Sequence, residues 1–203
     1  MHPVIFSAFE RLCRTYASNA PEAVLEIGAV PGPDMLLNLP DLARATTRIG
    51  LNLAEATKYK GCRILQGNAN HMPFPDESFD LVLCNSVLEH DSKFWLTLQE
   101  IKRVLRPGGT VILGVPGYRI NRGWTYSVLS RLQRIWPAFM PGARLLDAWN
   151  ATTPTLLVHN YPGDYYRFSE QALREVLLES FDVLTTETLM LPPRLLGVGR
   201  KLA

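Results

Sequence analysis

A glycine-rich turn that follows an acidic residue is the first feature of the sequence with the chemistry of a ligand site. Residues 24–32 read Val-Leu-Glu-Ile-Gly-Ala-Val-Pro-Gly, a short apolar run that enters a turn. In open α/β sheets, ligands bind in the crevice at the carboxyl ends of the strands. The turn is therefore a candidate ligand-binding segment, and a tight strand-to-helix connection without a ligand is the alternative interpretation.

Two histidines have the residue type for proton transfer at neutral pH, which requires a base within hydrogen-bond reach of the reacting group. His90 ends a Val-Leu-Glu-His segment, and its alternative role is to cap the helix that follows. His159 begins a polar, aromatic cluster, for which a network that locks a lid is the alternative. The candidate catalytic residues are His90, His159, Asp164 and Tyr165.

The elements that must position these residues follow from the apolar periodicity of the chain. Apolar side chains at helical spacing predict an amphipathic helix over residues 4–16. Helices are also predicted over 93–105 and, with Ser169 as N-cap, over 169–180. Short apolar runs bounded by turn residues predict strands at 23–28, 48–52, 63–66, 79–84, 110–115, 181–189 and, as an antiparallel edge strand, 195–201.

Strands that alternate with helices predict a doubly wound, Rossmann-like α/β fold with a mostly parallel, seven-stranded sheet. We expect a single domain over residues 1–203, opened by a helical segment at 1–20. Residues 137–162 hold several prolines and few charges. The longer segment 117–165 is therefore predicted to be a lid or substrate segment inserted into the fold.

The composition is that of an ordinary folded domain, since 47% of the 203 residues are hydrophobic and 20% are charged. A net charge of +2, with scattered basic residues, argues against a nucleic-acid partner. Cys13, Cys62 and Cys84 are odd in number and lack metal-site spacing, which predicts no disulfide framework, no bound metal and a cytoplasmic location. No apolar stretch reaches the roughly 18 residues of a membrane span.

Five segments, in this order, resemble those of a known family. They read VLEIGAVPG (24–32), IGLNL (49–53), GNANHMPFPDESFDLVLCNSVLEH (67–90), EIKRVLRPGGTVILGVP (100–116) and HNYPGDYYRFS (159–169). The chain thereby resembles the class I S-adenosylmethionine-dependent methyltransferases, especially their type 11 branch. The resemblance implies that S-adenosylmethionine is the cofactor and that its methyl group passes to oxygen or nitrogen of a small molecule.

The resemblance also implies roles for individual residues. In that family the glycine turn approaches the methionine part of the cofactor. The residue after the second strand binds the ribose, the residues after the third strand bind the adenine, and the residues after the fourth strand form the floor beneath the sulfonium. The matching positions are Glu26, Gly28, Ala29 and Gly32 for the turn, Asn52 and Leu53 for the ribose, Asn68 and Ala69 for the adenine, and Asn85 and Ser86 for the floor.

Three positions differ from the family pattern. Val30 stands where the family has its central glycine, and Asn52 and Asn68 stand where it has acidic residues. An amide lacks the charge and the second carboxylate oxygen that strengthen such hydrogen bonds. A relative that has lost catalysis and serves as a binding or regulatory subunit is therefore an alternative. A nicotinamide-dependent oxidoreductase is a further one, although the turn lacks Gly-x-Gly-x-x-Gly. A homodimer stays open as the oligomeric state.

Overall fold

The structure is a computed structural model that describes residues 1–17, 21–118, 163–189 and 193–202. These residues belong to one compact unit, which runs from Met1 to Tyr118 and resumes at Tyr161. Most of the lid predicted over 117–165, together with His159, lies outside the described residues. The lid and the single-domain organisation therefore stay predictions. In the described part of the chain, every helix is too short or too polar to cross a membrane.

An eight-stranded sheet forms the centre of the described fold, in the order β3-β4-β2-β1-β5-β6-β8-β7. Its strands are β1 (Ala23–Ile27), β2 (Thr47–Asn52), β3 (Thr57–Tyr59), β4 (Cys62–Gln66), β5 (Phe79–Asn85), β6 (Leu105–Pro116), β7 (Asp182–Leu189) and β8 (Arg194–Arg200). The neighbours β4, β2, β1, β5 and β6 run parallel, so their carboxyl ends meet at one edge. This arrangement confirms the predicted Rossmann-like, mostly parallel fold.

Two details of the sheet differ from the prediction of seven strands with an antiparallel strand at the edge. Strand β8 is antiparallel to its neighbours but lies between β6 and β7, inside the sheet. The antiparallel edge strand is β3, which forms a hairpin with β4. Lys60 and Gly61 both have positive φ, as a two-residue hairpin turn requires. Because β3 is short and largely exposed, it lacks the apolar run that reveals a strand in the sequence.

Side chains from the central strands fill two apolar clusters, one on each face of the sheet. In β5, Leu81 and Leu83 join one cluster, whereas Val82 and Cys84 join the other. The helix α1 (Pro3–Tyr16) covers the first face with Phe9 and Leu12, and α2 (Phe94–Val104) covers the second. Burial on both faces explains why these strands read as continuous apolar runs.

The helix predicted over 169–180 is shorter in the structure. Ser169 caps α3 (Glu170–Ala172) by accepting a hydrogen bond from the backbone N–H of Ala172. The chain continues as a wider π-helical turn over Leu173–Leu177 and leaves the helix at Leu178. The predicted N-cap is confirmed, and the predicted end was three residues too late.

Short 3-10 turns, at Leu36–Asn38 and Pro40–Leu42, replace a full helix between β1 and β2. Proline has no backbone N–H to donate, so the prolines of this connection interrupt an α-helical hydrogen-bond ladder. The connection is nevertheless well packed, because Leu36, Leu37, Leu39 and Leu42 are all buried. It brings the chain from the glycine turn into β2 while leaving the carboxyl edge of the sheet free of a long helix.

Candidate functional site

The glycine turn follows β1 directly at the carboxyl edge of the sheet. Gly28 has a φ of +76°, a conformation that residues with a Cβ rarely adopt. Its backbone N–H donates to the carbonyl of Leu51 at 2.8 Å, which ties the turn to β2. A Cβ at this position would clash with the side chain of Val87, which follows β5. Gly28 therefore allows three segments to meet: the turn, the end of β2 and the loop after β5.

The outer part of the turn is open to solvent. Val30 is 65% exposed, and a Cβ at Gly32 would meet no atom within 4 Å. In the part of the chain that the structure describes, the backbone N–H groups of Val30 and Gly32 have no hydrogen-bond partner. By contrast, Ala29 is buried and its N–H donates to Leu51. Only the outer N–H groups of the turn are thus available to an anionic group of a ligand.

Asn52, the last residue of β2, is bonded to the turn. Its Nδ2 donates to the carbonyl of Ala29 at 2.7 Å, and its Oδ1 accepts from the backbone N–H of Ala54 at 3.1 Å. A carboxylate has no donor, so an aspartate could not make the first of these bonds. The next residue, Leu53, is 73% exposed. Asn52 therefore holds the turn in place and keeps one Oδ1 lone pair for a further donor.

Asn68 and Ala69 lie in the loop after β4, the strand next to β2. Asn68 is exposed, and its Oδ1 accepts from the backbone N–H of Asn70 at 2.9 Å, which closes a local turn. Ala69 is half-buried against the apolar core. The loop is anchored through Asn70, whose Nδ2 donates to Asp91 at 2.6 Å. These contacts fix the backbone of the loop and leave the Asn68 amide exposed.

Asn85 and Ser86 end β5, beside the glycine turn. Ser86 has a φ of +56°, and its backbone N–H donates to Gly114 at 2.9 Å. Its hydroxyl accepts from the Nη1 of Arg194 at 3.1 Å. The Oδ1 of Asn85 lies against Gly114, where a Cβ would clash with it. The two predicted floor residues are thus brought together at the carboxyl edge, with an arginine from β8 beside them.

Glu26 is buried below the turn, at 4% exposure. Its Oε2 accepts from the backbone N–H of Leu37 at 2.9 Å. Burial raises the pKa of Glu26 to about 7, although hydrogen bonds from the backbone of Leu37 and Leu36 act in the opposite direction. This contact makes the Glu26 carboxylate an organiser of the connection after the turn, and its contact with the cofactor stays a prediction.

The described candidate catalytic residues, His90, Asp164 and Tyr165, lie on two segments that touch each other. His90 closes a 3-10 turn at Leu88–His90, with its backbone N–H donating to Val87 at 2.9 Å. Asp164 forms a bidentate ion pair with Arg167. Tyr165 is 59% exposed and donates its backbone N–H to the carbonyl of Glu89 at 2.8 Å. The Asp164–Arg167 pair agrees with the alternative of a structural network, and no catalytic role is tested by these contacts.

Sequence reasoning missed Glu89 and Arg194. Glu89 is buried at 3% exposure, and its Oε1 lies 3.6 Å from the Nη1 of Arg194. Burial raises the pKa of Glu89 to about 7, while its own backbone N–H, Arg194 and Arg167 lower it. A short 3-10 turn has no periodicity that reveals which side chain is buried. Glu89 and Arg194 are also far apart in the sequence, so their pairing needs the fold.

Comparisons with known proteins agree with this geometry. A family model described as a methyltransferase domain matches residues 38–113. An uncharacterized methyltransferase, YcgJ of Bacillus subtilis, is 29% identical over 110 residues, which are 50% of this chain and 44% of that protein. The demethylmenaquinone methyltransferase of Lysinibacillus sphaericus is 32% identical over 104 residues, which are 48% of this chain and 41% of that enzyme. The chain therefore spans less than half the length of these curated relatives.

A solved structure shares the fold over nearly the whole chain. The 1,6-didemethyltoxoflavin-N1-methyltransferase of Burkholderia thailandensis, bound to 1,6-didemethyltoxoflavin and S-adenosylhomocysteine, aligns with a TM-score of 0.64 at 17% identity. The alignment covers 98% of this chain and 78% of that one. Taken with the sheet topology, this alignment shows that the chain shares the Rossmann-like fold of that methyltransferase, and the family model shows that residues 38–113 are similar to a methyltransferase domain.

Proposed function

We propose that the chain binds S-adenosylmethionine along the carboxyl edge of the sheet and transfers its methyl group to oxygen or nitrogen of a small molecule. The observation that carries this proposal is the hydrogen bond from Asn52 to Ala29, which joins the ribose position to the glycine turn. Val87 packs against Gly28 of the same turn, so the loop after β5 lies beside both. Three segments that the family uses for its cofactor are contiguous here.

The residues at this edge fit the parts of the cofactor. The free N–H groups of Val30 and Gly32 suit its carboxylate, since backbone donors bind anions well. The remaining lone pair of the Asn52 Oδ1 can accept one ribose hydroxyl. The exposed amide of Asn68 and the backbone of Ala69 would serve the adenine. Asn52 and Asn68 replace ionic contacts with neutral ones, each weaker by about 1 kcal/mol.

When bound, the cofactor supplies an electrophilic methyl group on a sulfonium. The chain must then hold the acceptor in line with that methyl group, exclude water and receive a proton, and positioning alone supplies much of the rate. Asn85 and Ser86 would form the floor of this region. His90, His159, Asp164 and Tyr165 remain the candidates from the sequence for orienting or deprotonating the acceptor. The described contacts of Asp164 favour orientation.

The acceptor is proposed to be small. Demethylmenaquinone methyltransferase and the didemethyltoxoflavin methyltransferase both act, by their names, on small organic molecules. We also propose a cytoplasmic location, because the three cysteines show neither a disulfide framework nor metal-site spacing. We propose that the protein has no nucleic-acid partner, because its basic residues are scattered and its net charge is only +2. A homodimer remains a proposal.

A binding or regulatory subunit without turnover is the second candidate function. Asn52 favours it, because its uncharged amide keeps only one Oδ1 lone pair for the ribose, where the family pattern has a carboxylate. Val30 adds a branched side chain to the open part of the turn. The oxidoreductase alternative gains no support from the geometry of the turn.

Calorimetric titration with S-adenosylhomocysteine tests the proposal. We expect saturable binding to the wild-type chain. The comparison variant is Gly32→Leu, whose side chain fills the open side of the turn without a clash inside the protein. We expect this variant to lose binding and to keep the wild-type unfolding midpoint. Absence of heat at millimolar ligand would contradict the proposal. Binding without methyl transfer from tritiated S-adenosylmethionine to a panel of phenols and amines would favour the binding subunit.

A further inference from the structure

The carboxylate of Glu89 is buried and only half satisfied. Glu89 is 3% exposed, and its Oε2 has no hydrogen-bond partner in the part of the chain that the structure describes. Its Oε1 lies 3.6 Å from the Nη1 of Arg194, which hydrogen-bonds Ser86 at 3.1 Å. Leaving a carboxylate oxygen dehydrated and unbonded is costly, so an oxygen in this state calls for an explanation.

The charged groups around Glu89 come from two parts of the chain. Arg194, at the start of β8, and Arg167, in the segment before α3, favour the ionised carboxylate, whereas Asp164 disfavours it. Together with burial, they hold the pKa of Glu89 at about 7. A carboxyl group in this range can both take up and release a proton near neutral pH, as a general base must.

Glu89 also lies between the two parts of the site. Val87, two residues earlier, packs against Gly28 of the glycine turn. The carbonyl of Glu89 itself accepts from the backbone N–H groups of Tyr165, at 2.8 Å, and Tyr166, at 3.2 Å. One side of this loop therefore contacts the proposed cofactor turn, and the other side holds the segment proposed to approach the acceptor.

We propose that Glu89 is the catalytic base, which takes the proton from the hydroxyl or amine that is methylated. The free Oε2 accepts a hydrogen bond from the hydroxyl or amine to be methylated. A lone pair of that oxygen or nitrogen attacks the methyl carbon, the carbon–sulfur bond breaks with its electron pair going to sulfur, and the proton moves to Oε2. The products are the methylated acceptor, S-adenosylhomocysteine and a protonated Glu89. This inference rests on the proposed function.

Arg194 is then a positioning residue. Its guanidinium lies between the hydroxyl of Ser86 and the Oε1 of Glu89, so it fixes one carboxylate oxygen and leaves the other for the acceptor. It also favours the ionised carboxylate that can take a proton. Arg194→Met should shift Glu89 toward its protonated form without removing it.

Sinefungin provides a test that does not require the acceptor. It is an S-adenosylmethionine analogue in which a carbon replaces the sulfur and an amine replaces the methyl group, so its ammonium group lies where methyl transfer takes place. Glu89→Gln should remove a charge-assisted hydrogen bond to this ammonium group. The dissociation constant of sinefungin should then rise about tenfold, and that of S-adenosylhomocysteine should stay unchanged. Arg194→Met is also expected to weaken the binding of sinefungin. The matched control is Glu179→Gln, which changes an exposed carboxylate in the turn between Leu177 and β7.

The ratio of the two dissociation constants decides the matter. A ratio that changes in Glu89→Gln and Arg194→Met, but not in Glu179→Gln, supports the proposal. An unchanged ratio in Glu89→Gln with normal binding of S-adenosylhomocysteine overturns it and leaves the proposed function standing. If the wild-type chain binds neither ligand, the proposed function fails and this inference fails with it. Arg194→Met gives an independent reading if Glu89→Gln does not fold.

Discussion

Asn52→Asp is the most informative single substitution in the proposed cofactor site. It restores the acidic residue that the family has at this position, and on family resemblance alone it should tighten cofactor binding. The structure leads to the opposite expectation. The Nδ2 of Asn52 donates to the carbonyl of Ala29 at 2.7 Å, and an aspartate would place a carboxylate oxygen against that carbonyl oxygen. The glycine turn would lose its bond to β2 and be repelled.

The size of the effect follows from the contact. Losing one partly buried hydrogen bond costs about 1 kcal/mol, and leaving the Ala29 carbonyl opposite a like partial charge adds about another 1 kcal/mol. For a domain of this size, a loss of about 2 kcal/mol lowers the unfolding midpoint by roughly 4–8 °C. Thermal unfolding and titration with S-adenosylhomocysteine measure both consequences, and we expect affinity to fall because the turn is displaced.

Asn68→Asp is the matched control. Asn68 is exposed and its described side-chain bond uses only Oδ1, which accepts from Asn70. A carboxylate can make the same bond, so this variant should keep the wild-type unfolding midpoint. If Asn52→Asp is as stable as wild type and binds S-adenosylhomocysteine as tightly or more tightly, the role assigned to Asn52 is wrong.

Three further predictions concern the turn and the carboxylate beneath it. Glu26 has its pKa raised from 4.5 to about 7, so its folded state favours the protonated form and the free energy of unfolding falls as pH rises from 4.5 to about 7. Glu26→Gln should remove up to about 3 kcal/mol of that fall, as measured by urea titrations at several pH values. If the free energy of unfolding depends on pH as in the wild type, the raised pKa of Glu26 is refuted. Gly28→Ala should lower stability by roughly 3 kcal/mol through positive φ and the clash with Val87; an unshifted urea midpoint would disprove the clash. Val30→Gly should tighten binding of S-adenosylhomocysteine by calorimetry, and equal or weaker affinity counts against a steric role for Val30.

The sheet and the glycine turn could be predicted from the sequence because their signals are local. Strand β1 is buried along its whole length and therefore reads as an uninterrupted apolar run. Gly28 marks a backbone conformation that few other residues adopt. Ser169 marks the start of α3 for a similarly local reason, the side-chain cap of a helix. Each of these features is encoded by neighbours in the chain.

The remaining features depend on contacts between distant residues. Glu26 shows no sign in the sequence that its partner is the backbone of Leu37. From the sequence, Asn52 indicates only a weaker contact with the ribose. Its hydrogen bond to the carbonyl of Ala29 is seen only in the fold. Strand β3 is too short and polar to be recognised before its pairing with β4 is known. Glu89 and Arg194 meet because β5 ends, and the antiparallel strand β8 begins, at the same edge of the sheet.

A crystal structure of the chain soaked with S-adenosylhomocysteine tests the central claim most directly. The account predicts that the amino acid part of the ligand lies against the Gly28–Gly32 turn, with the ribose beside Asn52 and the sulfur facing Asn85 and Glu89. Ligand bound at any other surface, or an empty turn at saturating ligand, would contradict the assignment of this edge of the sheet as the cofactor site.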